Sequence, residues 1–428
     1  MVFDFTSVLA LVVFICCYAA IVLEHNFKVS KSASALLAGA LIWILAGIRN
    51  SEHLQETLVE AGNEVFSILI FLLAAMSLVE ILIHYKFFDY IRAKLYKYTL
   101  NDKKLFWILT GLAFILSGIV DNLTCTIILI QISRKFFKGE NLLITAAGIV
   151  IAANAGGAFS PIGDVTTIML WFAKKFSALE ILWKGFLPSF GLYLTATALL
   201  ARRIVDAPTP EAKADELSIS LSRSEVGVIT LVFLSFLLPI TMNFFGLPPY
   251  FGLLLGLGLI WALVDSLKKY LTHRTHLEAS IEEFIKKTDI PSLKFFVGIL
   301  LAVSGLHALG VLDYLAHLVY GADPSAGKLI IGNVGLGLLS SILDNVPLTA
   351  MAIQVLHTTQ SSLWVLLALT VGTGGSLLII GSAAGVIAMG MVKELNFGKY
   401  LKLAFAPALC GYAVGIGIWS FQYFVLHW

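Results

Sequence analysis

Charged residues are scarce in this chain. Asp, Glu, Lys and Arg make up 13% of its 428 residues while 58% are hydrophobic, whereas soluble domains carry about 25% charged residues. A soluble enzyme, a fibrous protein or a disordered chain is excluded, because the polar surface each would need is missing. An excess of either sign is missing too: the formal charge is +2, which gives no basis for a nucleic-acid partner. Only four cysteines occur, with no CxxC pair and no Cys/His spacing, so neither a disulfide framework nor a thiolate metal site is expected. Alternating strand patterns are absent, which excludes a β-barrel. No His-Glu-x-x-His run or Gly-x-Ser-x-Gly elbow appears, and neither glycine run is followed by Lys-Ser or Lys-Thr. Zinc-protease, hydrolase and P-loop chemistry therefore lack their residues. What remains is an all-α polytopic membrane protein: no enzyme, no cofactor, and the lipid bilayer as its surroundings.

Apolar runs of the length that spans a bilayer, roughly 20 residues, lie near 6–24, 33–48, 64–84, 178–201, 226–245, 251–266, 291–313 and 398–424. The first lacks a basic leading segment and a small-residue cleavage site, so a span is expected there and not a cleaved signal peptide. Four more apolar segments are interrupted. An Asp-Asn pair breaks 105–133 and 328–357, and glycine clusters break 142–171 and 363–391. These interruptions are duplicated. LSGIVDNLTCTI (116–127) matches LSSILDNVPLTA (339–350) at six of twelve positions, which aligns Asp121-Asn122 with Asp344-Asn345. Gly156-Gly157 and Gly163 likewise align with Gly374-Gly375 and Gly381. The chain thus reads as two repeats, 1–205 and 223–428, joined by a polar cytoplasmic linker at 206–222. Broken helices at matching places in two halves point to a transporter's binding site. The charged stretch 268–288 reads as a loop with room for a surface helix.

Basic residues set the orientation. If the two Asp-Asn segments are re-entrant hairpins, each repeat crosses the membrane five times and the repeats are inverted. With the N-terminus outside, 24 of the 29 Lys and Arg residues then fall in cytoplasmic loops, as the positive-inside rule requires. The expected fold is two inverted repeats of five transmembrane helices, each with one re-entrant helical hairpin and one broken helix. Both termini are expected outside, and the two hairpins open to opposite faces.

An ionisable residue at membrane depth costs at least about 2.5 kcal/mol on insertion scales, so each one needs a reason. Asp121, Asp344 and Asp164 stand at or beside the breaks, Glu64 and Glu80 lie along the third span, and His307 lies in its second-repeat counterpart. A lone intramembrane Glu80 is as readily a helix staple as a proton carrier. Glu64 is expected near a helix start, facing water, and a histidine such as His307 more often packs than senses pH. A proton or pH role is the functional alternative for all three. The duplicated Asp-Asn pairs are a different matter. Asp supplies a charged oxygen and Asn122 and Asn345 supply neutral ones; freed backbone carbonyls, Asn154, Ser160, Thr166, Thr167, Ser376 and Ser382 add more. An oxygen-only donor set suits a hard cation such as sodium and no soft metal. An intramembrane aspartyl protease would need Tyr-Asp and Gly-x-Gly-Asp. Only its Pro-Ala-Leu occurs, at 407–409, and Pro161 stands where the second motif needs glycine.

VDNLT (120–124), SPIGDVTTIMLW (160–171), LDNVPLTA (343–350) and GGSLLIIGSAAGV (374–386) resemble the NhaD-type sodium/proton antiporters of the ion transporter superfamily. The likeness covers nearly the whole chain. It implies a homodimer, an elevator-like movement of the hairpin-bearing part, and exchange of Na⁺ or Li⁺ for H⁺ across a bacterial inner membrane. The chemistry of the residues agrees with exchange: carboxylates that take either a cation or protons make the two ligands compete. The alternative is an anion transporter of the same superfamily, a sodium/dicarboxylate symporter or an arsenite exporter. Dicarboxylate carriers have Ser-Asn-Thr at the hairpin tips, whereas Asp121 and Asp344 would repel a bound carboxylate. At 4 Å and an effective dielectric of 20 that repulsion is about 4 kcal/mol, which favours the cation.

Overall fold

The computed structural model describes residues 4–22, 24, 28–49, 54–97, 101–206, 219–271, 273–314 and 325–428. Most of the expected linker at 206–222 lies outside the described residues. The regular elements are helices. The first half holds α1 (Phe5–Val22), α2 (Lys31–Arg49), α3 (Leu54–His84), α4 (Phe87–Lys97), α5 (Asp102–Ser117), α6 (Asn122–Phe136), α7 (Gly139–Ala158), α8 (Val165–Phe172) and α9 (Ala178–Ala201). The second half holds α10 (Arg223–Ser235), α11 (Leu238–Phe244), α12 (Tyr250–Tyr270), α13 (Arg274–Leu277), α14 (Ile281–Lys287) and α15 (Ile290–Ala308). It continues with α16 (Ala326–Leu339), α17 (Asn345–Val355), α18 (Ser361–Leu378), α19 (Ala383–Met391) and α20 (Phe397–Phe424).

Among the described residues, seven helical stretches are long and apolar enough to cross a membrane. Their outward faces are apolar: Ile44 and Ile48 of α2, Leu259 of α12 and Phe421 of α20 are all exposed. Polar groups are turned inward, with Asn154, Asp164, Thr166 and Thr167 buried. This is the distribution that lipid demands, since no water reaches the outer face. Two helices form the centre. Leu143 to Ala158 of α7 and Ser362 to Leu377 of α18 are buried on every side, so neither has a polar stripe to present.

Three span boundaries differ from the hydropathy reading. The third span begins at Leu54 instead of 64, because Glu56 and Glu60 are good helix formers that hydropathy discounts. The run 226–245 is two helices, α10 and α11, with Pro239 at the second position of α11. A proline there lacks the N–H for the helical ladder and clashes with the carbonyl four residues back, that of Ser235. The run 291–313 leaves its helix after Ala308, and Gly310 turns the chain with φ +70°. The charged stretch 268–288 does carry surface helices, α13 and α14.

The packing of the two halves matches. α7 packs against α5, α6 and α9, and α18 packs against α16, α17 and α20. Each half also reaches into the other: α2 lies on α15 and α3 on α12, while α6 meets α19 and α17 meets α8. Equivalent atoms make equivalent contacts. Ser117 Oγ donates to the Ala153 carbonyl at 2.6 Å, and Ser340 Oγ donates to that of Val371 at 2.8 Å. A Cβ placed on Gly156 would stand 2.1 Å from the Phe114 carbonyl oxygen, and one on Gly374 2.0 Å from that of Gly337. These glycines therefore let helix backbones touch, and they do not break the helices. Gly156-Gly157 and Gly374-Gly375 lie inside α7 and α18, and the breaks follow at 159–164 and 379–382. The glycine-cluster expectation is corrected in that respect. The first break holds Pro161 and Gly163, while the second opens at Ile379 with φ +64°, a backbone state that a β-branched residue rarely adopts.

Candidate functional site

Each of the four breaks delivers a helix N-cap. Asp121, Asp164, Asp344 and Ser382 occupy the N-cap positions of α6, α8, α17 and α19. Asp121, Asn122, Asp164, Asp344, Asn345 and Ser382 all line one cavity of about 40 Å³, larger than the roughly 10–15 Å³ that one water needs. Six of the residues expected to form a site are thus brought together. Helix N-termini carry a partial positive charge of about half a unit each. Four of them meeting in one place hold a cluster of carboxylates that would otherwise repel one another.

Asp164 is the centre of this cluster. Asp121 and Asp344 each give an oxygen to their own helix, accepting from the Thr124 N–H at 2.9 Å and the Val346 N–H at 3.2 Å. Asp164 makes no such cap bond. Its oxygens face the amides of both Asp-Asn pairs: Asn345 Nδ2 donates to Oδ2 at 3.0 Å, and Asn122 Nδ2 lies 3.5 Å from Oδ1. Asn122 also donates to Asn154 Oδ1 at 2.9 Å. Asn154 in turn donates to Ser376 Oγ at 2.8 Å and to Ser382 Oγ at 3.2 Å. The network crosses between the two halves of the chain twice, through Asn345 to Asp164 and through Asn154 to Ser376 and Ser382. Neither half builds this network alone.

The remaining expected residues separate into neighbours and outsiders. Ser160 and Thr166 are buried beside the first break without lining the cavity, and Thr167 Oγ1 donates to the Asp164 carbonyl at 2.8 Å. Asn154 does not line the cavity and bridges Asn122 to Ser376 and Ser382. Glu64, Glu80 and His307 do not line the cavity. Glu64 is the eleventh residue of α3, roughly 15 Å from the helix start, which corrects its expected place at a helix end. Lys175 is the charge that acts on it. Lys287 acts on Glu80, and His307 Nδ1 lies 3.8 Å from Asp313.

Two cavity contacts were not expected from sequence. Tyr18 Oη accepts the Asp344 backbone N–H at 3.0 Å, and Lys31 lines the cavity with its ammonium 5.1 Å over the Phe295 ring. The only sequence signal for Lys31 was its place among the cytoplasmic basic residues, and Tyr18 sat within an unremarked apolar run.

Comparison with known proteins now adds to the geometry. A family profile described as citrate transporter matches residues 18–372. Sodium/proton antiporter 2 of Arabidopsis thaliana is 36% identical over 419 residues, spanning 93% of this chain and 96% of the relative. The Na⁺/H⁺ antiporter NhaD of Vibrio cholerae is 34% identical over 439 residues, spanning 95% and 90%. NhaD of Vibrio parahaemolyticus is 32% identical over 421 residues, spanning 89% and 100%. The chain belongs to the NhaD antiporter family. The four NhaD-like motifs are also the segments that build the cavity. VDNLT supplies Asp121 and Asn122, SPIGDVTTIMLW supplies Asp164, LDNVPLTA supplies Asp344 and Asn345, and GGSLLIIGSAAGV supplies Ser376 and Ser382.

Proposed function

We propose that this protein exchanges Na⁺, or Li⁺, for H⁺ across the membrane, with the three-carboxylate cavity as the shared site. The observation that carries the reading is the convergence of Asp121, Asp164 and Asp344 from three separate breaks on one small cavity. A cation placed there draws on carboxylate oxygens and on the carbonyl and hydroxyl oxygens around them, a donor set suited to a hard ion. Protons bind the same carboxylates, so one ligand excludes the other. If the loaded forms cross and the empty charged form does not, the two fluxes are coupled. The relatives described as sodium/proton antiporters point the same way.

The alternating-access reading draws on inverted repeats and re-entrant hairpins. Asn141, three residues into α7, donates to Asp102 at the start of α5 at 2.6 Å. α6 ends only a few residues before that point, so α5 and α6 together leave the chain on the side where it entered. Equivalent helices run antiparallel: Gly411 of α20 sits on the Leu192 carbonyl of α9, and Gly415 on that of Pro188. Inverted repeats require that direction, whereas an axis along the membrane normal would leave equivalent helices parallel. With 24 of 29 basic residues inside, the termini face out and Lys31 and Ser292 mark the cytoplasmic side of the cavity. The homodimer, the elevator-like movement and a plasma-membrane location complete the reading as the family resemblance implies them.

The profile's description, citrate transporter, favours the anion alternative. Three carboxylates and a single lysine among the described residues lining the cavity oppose it, because a bound tricarboxylate would face like charge from three of the four breaks. The deciding experiment is transport in proteoliposomes with a preset pH gradient. Added Na⁺ should collapse the gradient, and citrate should neither move nor change it. Citrate uptake with no sodium-dependent proton movement would overturn the proposal. Single cysteines at Ser222, Ser280 and His427 in a cysteine-free background test the orientation. An impermeant thiol reagent should label only the last in intact cells.

A further inference from the structure

Among the described residues, Lys31 is the only basic one lining the three-carboxylate cavity, and the exchange reading leaves it without a role. It is the first residue of α2. Its backbone is fixed: the N–H donates to Glu24 Oε1 at 3.0 Å, and the next residue, Ser32, donates through Oγ to the Pro291 carbonyl at 2.7 Å. Further along, Gly39 allows α2 to lie against the Gly298 carbonyl of α15. The four-carbon stem is the movable part. It carries the ammonium over the face of Phe295, on α15, at 5.1 Å, where the ring's negative face attracts a cation. From there it lines the same cavity as Asp344, without closing an ion pair among the described residues. The ammonium is thus held at the carboxylate cavity with no hydrogen bond to a carboxylate among the described residues.

We propose that Lys31 is a tethered competitor for the cation site. With the site empty, its charge offsets one of the three carboxylates. An entering Na⁺ must act against that ammonium where it stands over Phe295, so Lys31 weakens the apparent affinity for the transported cation and sets it in the working range. The inference rests on the reading of this cavity as the cation site.

The test measures half-saturating Na⁺ in proteoliposomes at one fixed pH. Lys31→Gln removes the charge and should lower the half-saturating concentration by about threefold or more, the order expected of a unit charge acting through a partly hydrated gap. Lys31→Arg keeps the charge and should stay close to the unsubstituted protein. An unchanged or raised value in Lys31→Gln would overturn the proposal, and so would equal shifts in both variants, which would mean that the stem only fills space. A second arm remains informative even if Lys31→Gln folds poorly. Lys31→Cys in a cysteine-free background is treated with an aminoethyl or a methyl methanethiosulfonate. Only the aminoethyl adduct, which restores an ammonium, should raise the half-saturating concentration again; equal effects of the two reagents would sink the idea. Absence of sodium-dependent proton movement in the unsubstituted protein would instead sink the exchange reading, so the two failures are distinguishable.

Discussion

At the second break of the first repeat the helix cap is Asp164, and at the equivalent place in the second repeat it is Ser382. Ser382 behaves as a capping serine should, with Oγ accepting the Gly385 N–H at 3.1 Å. Asp164 leaves its own helix uncapped and turns its carboxylate toward Asn345 and Asn122. Around this pair the repeats agree atom for atom, in the Ser117 and Ser340 bonds and in the contacts that Gly156 and Gly374 permit. The duplicated part is therefore the backbone frame, and the unduplicated part is charge. A second aspartate at position 382 would bring like charges together near the meeting point of the repeats, at about 4 kcal/mol for a 4 Å separation and an effective dielectric of 20. A serine there keeps the frame and avoids the repulsion.

Removing a cavity carboxylate should have the largest effect. Asp164→Ser removes the carboxylate that both asparagine amides address, and sodium-dependent proton flux should fall by more than about tenfold, the factor that 1.4 kcal/mol represents. Asp121→Asn and Asp344→Asn keep an oxygen and the volume but lose the exchangeable charge, and each should abolish exchange while the protein still inserts. Near-normal flux in Asp164→Ser would make that residue structural and leave the duplicated pairs as the whole site.

The frame can be tested apart from the charge. Gly156→Ala and Gly374→Ala both push a methyl group into a carbonyl oxygen, at 2.1 and 2.0 Å. Backbone cannot yield as a flexible side chain can, so each should cost about 3 kcal/mol or more, the upper end for overpacking. Thermal stability in detergent should drop equally in the two variants. Gly47→Ala, which meets nothing within 4 Å, is the matched control and should be neutral. Unequal losses at 156 and 374 would mean that the repeats share a sequence pattern without sharing its mechanical use.

A smaller effect is expected from the serine side of the comparison. Ser382→Ala removes the cap of α19 and one acceptor of Asn154. The lost cap costs about 1 kcal/mol, and half-saturating Na⁺ should rise by less than in Asp164→Ser. A larger rise in Ser382→Ala, measured under the same conditions, would reverse the assignment of which repeat carries the charge.

The breaks and their carboxylates were legible in the sequence because they violate the rule of their surroundings. A charged residue beside an asparagine in an apolar run stands out, and its repetition 223 positions later, from Asp121 to Asp344, stands out further. Convergence of the breaks followed from the repeat. Other features stayed hidden for physical reasons. Hydropathy marks the apolar middle of a helix and not its ends, so the nearly three extra turns of α3 before Glu64 were missed. Pro239 was lost within a continuous apolar run that the proline divides. Lys31 reaches the cavity and Tyr18 reaches the Asp344 backbone through the packing of α1, α2 and α15, contacts that no local pattern encodes. Asn154 was marked by its residue type alone; its three hydrogen bonds across the two halves are visible only in the fold.

The smallest expected effect concerns the other place where the halves interlock, away from the membrane. Helix α13 of the second half docks on the end of α3 through His276, which is buried between two hydroxyls. Its Nδ1 lies 3.0 Å from Tyr85 Oη and its Nε2 lies 2.8 Å from Ser224 Oγ. One nitrogen can donate and the other accept, which suits the neutral ring. Burial holds the His276 pKa below its ordinary 6.5, with His273 and His84 acting in the same direction and Glu225 opposing them. The sign follows from linkage. An undocked His276 takes a proton at higher pH than the docked one, so docking is fully stable above about 6.5 and weakens as pH falls toward the docked value. Hydrogen exchange across residues 273–279, corrected for intrinsic rates, should therefore quicken between about pH 7.5 and pH 5.5. His276→Gln keeps a polar, uncharged side chain and should make the protection equal at both values. Protection that is independent of pH in the unsubstituted protein would show that this junction is held by its apolar contacts, with Ile281 and Phe284 of α14 buried beside it, and that the histidine only fills the gap.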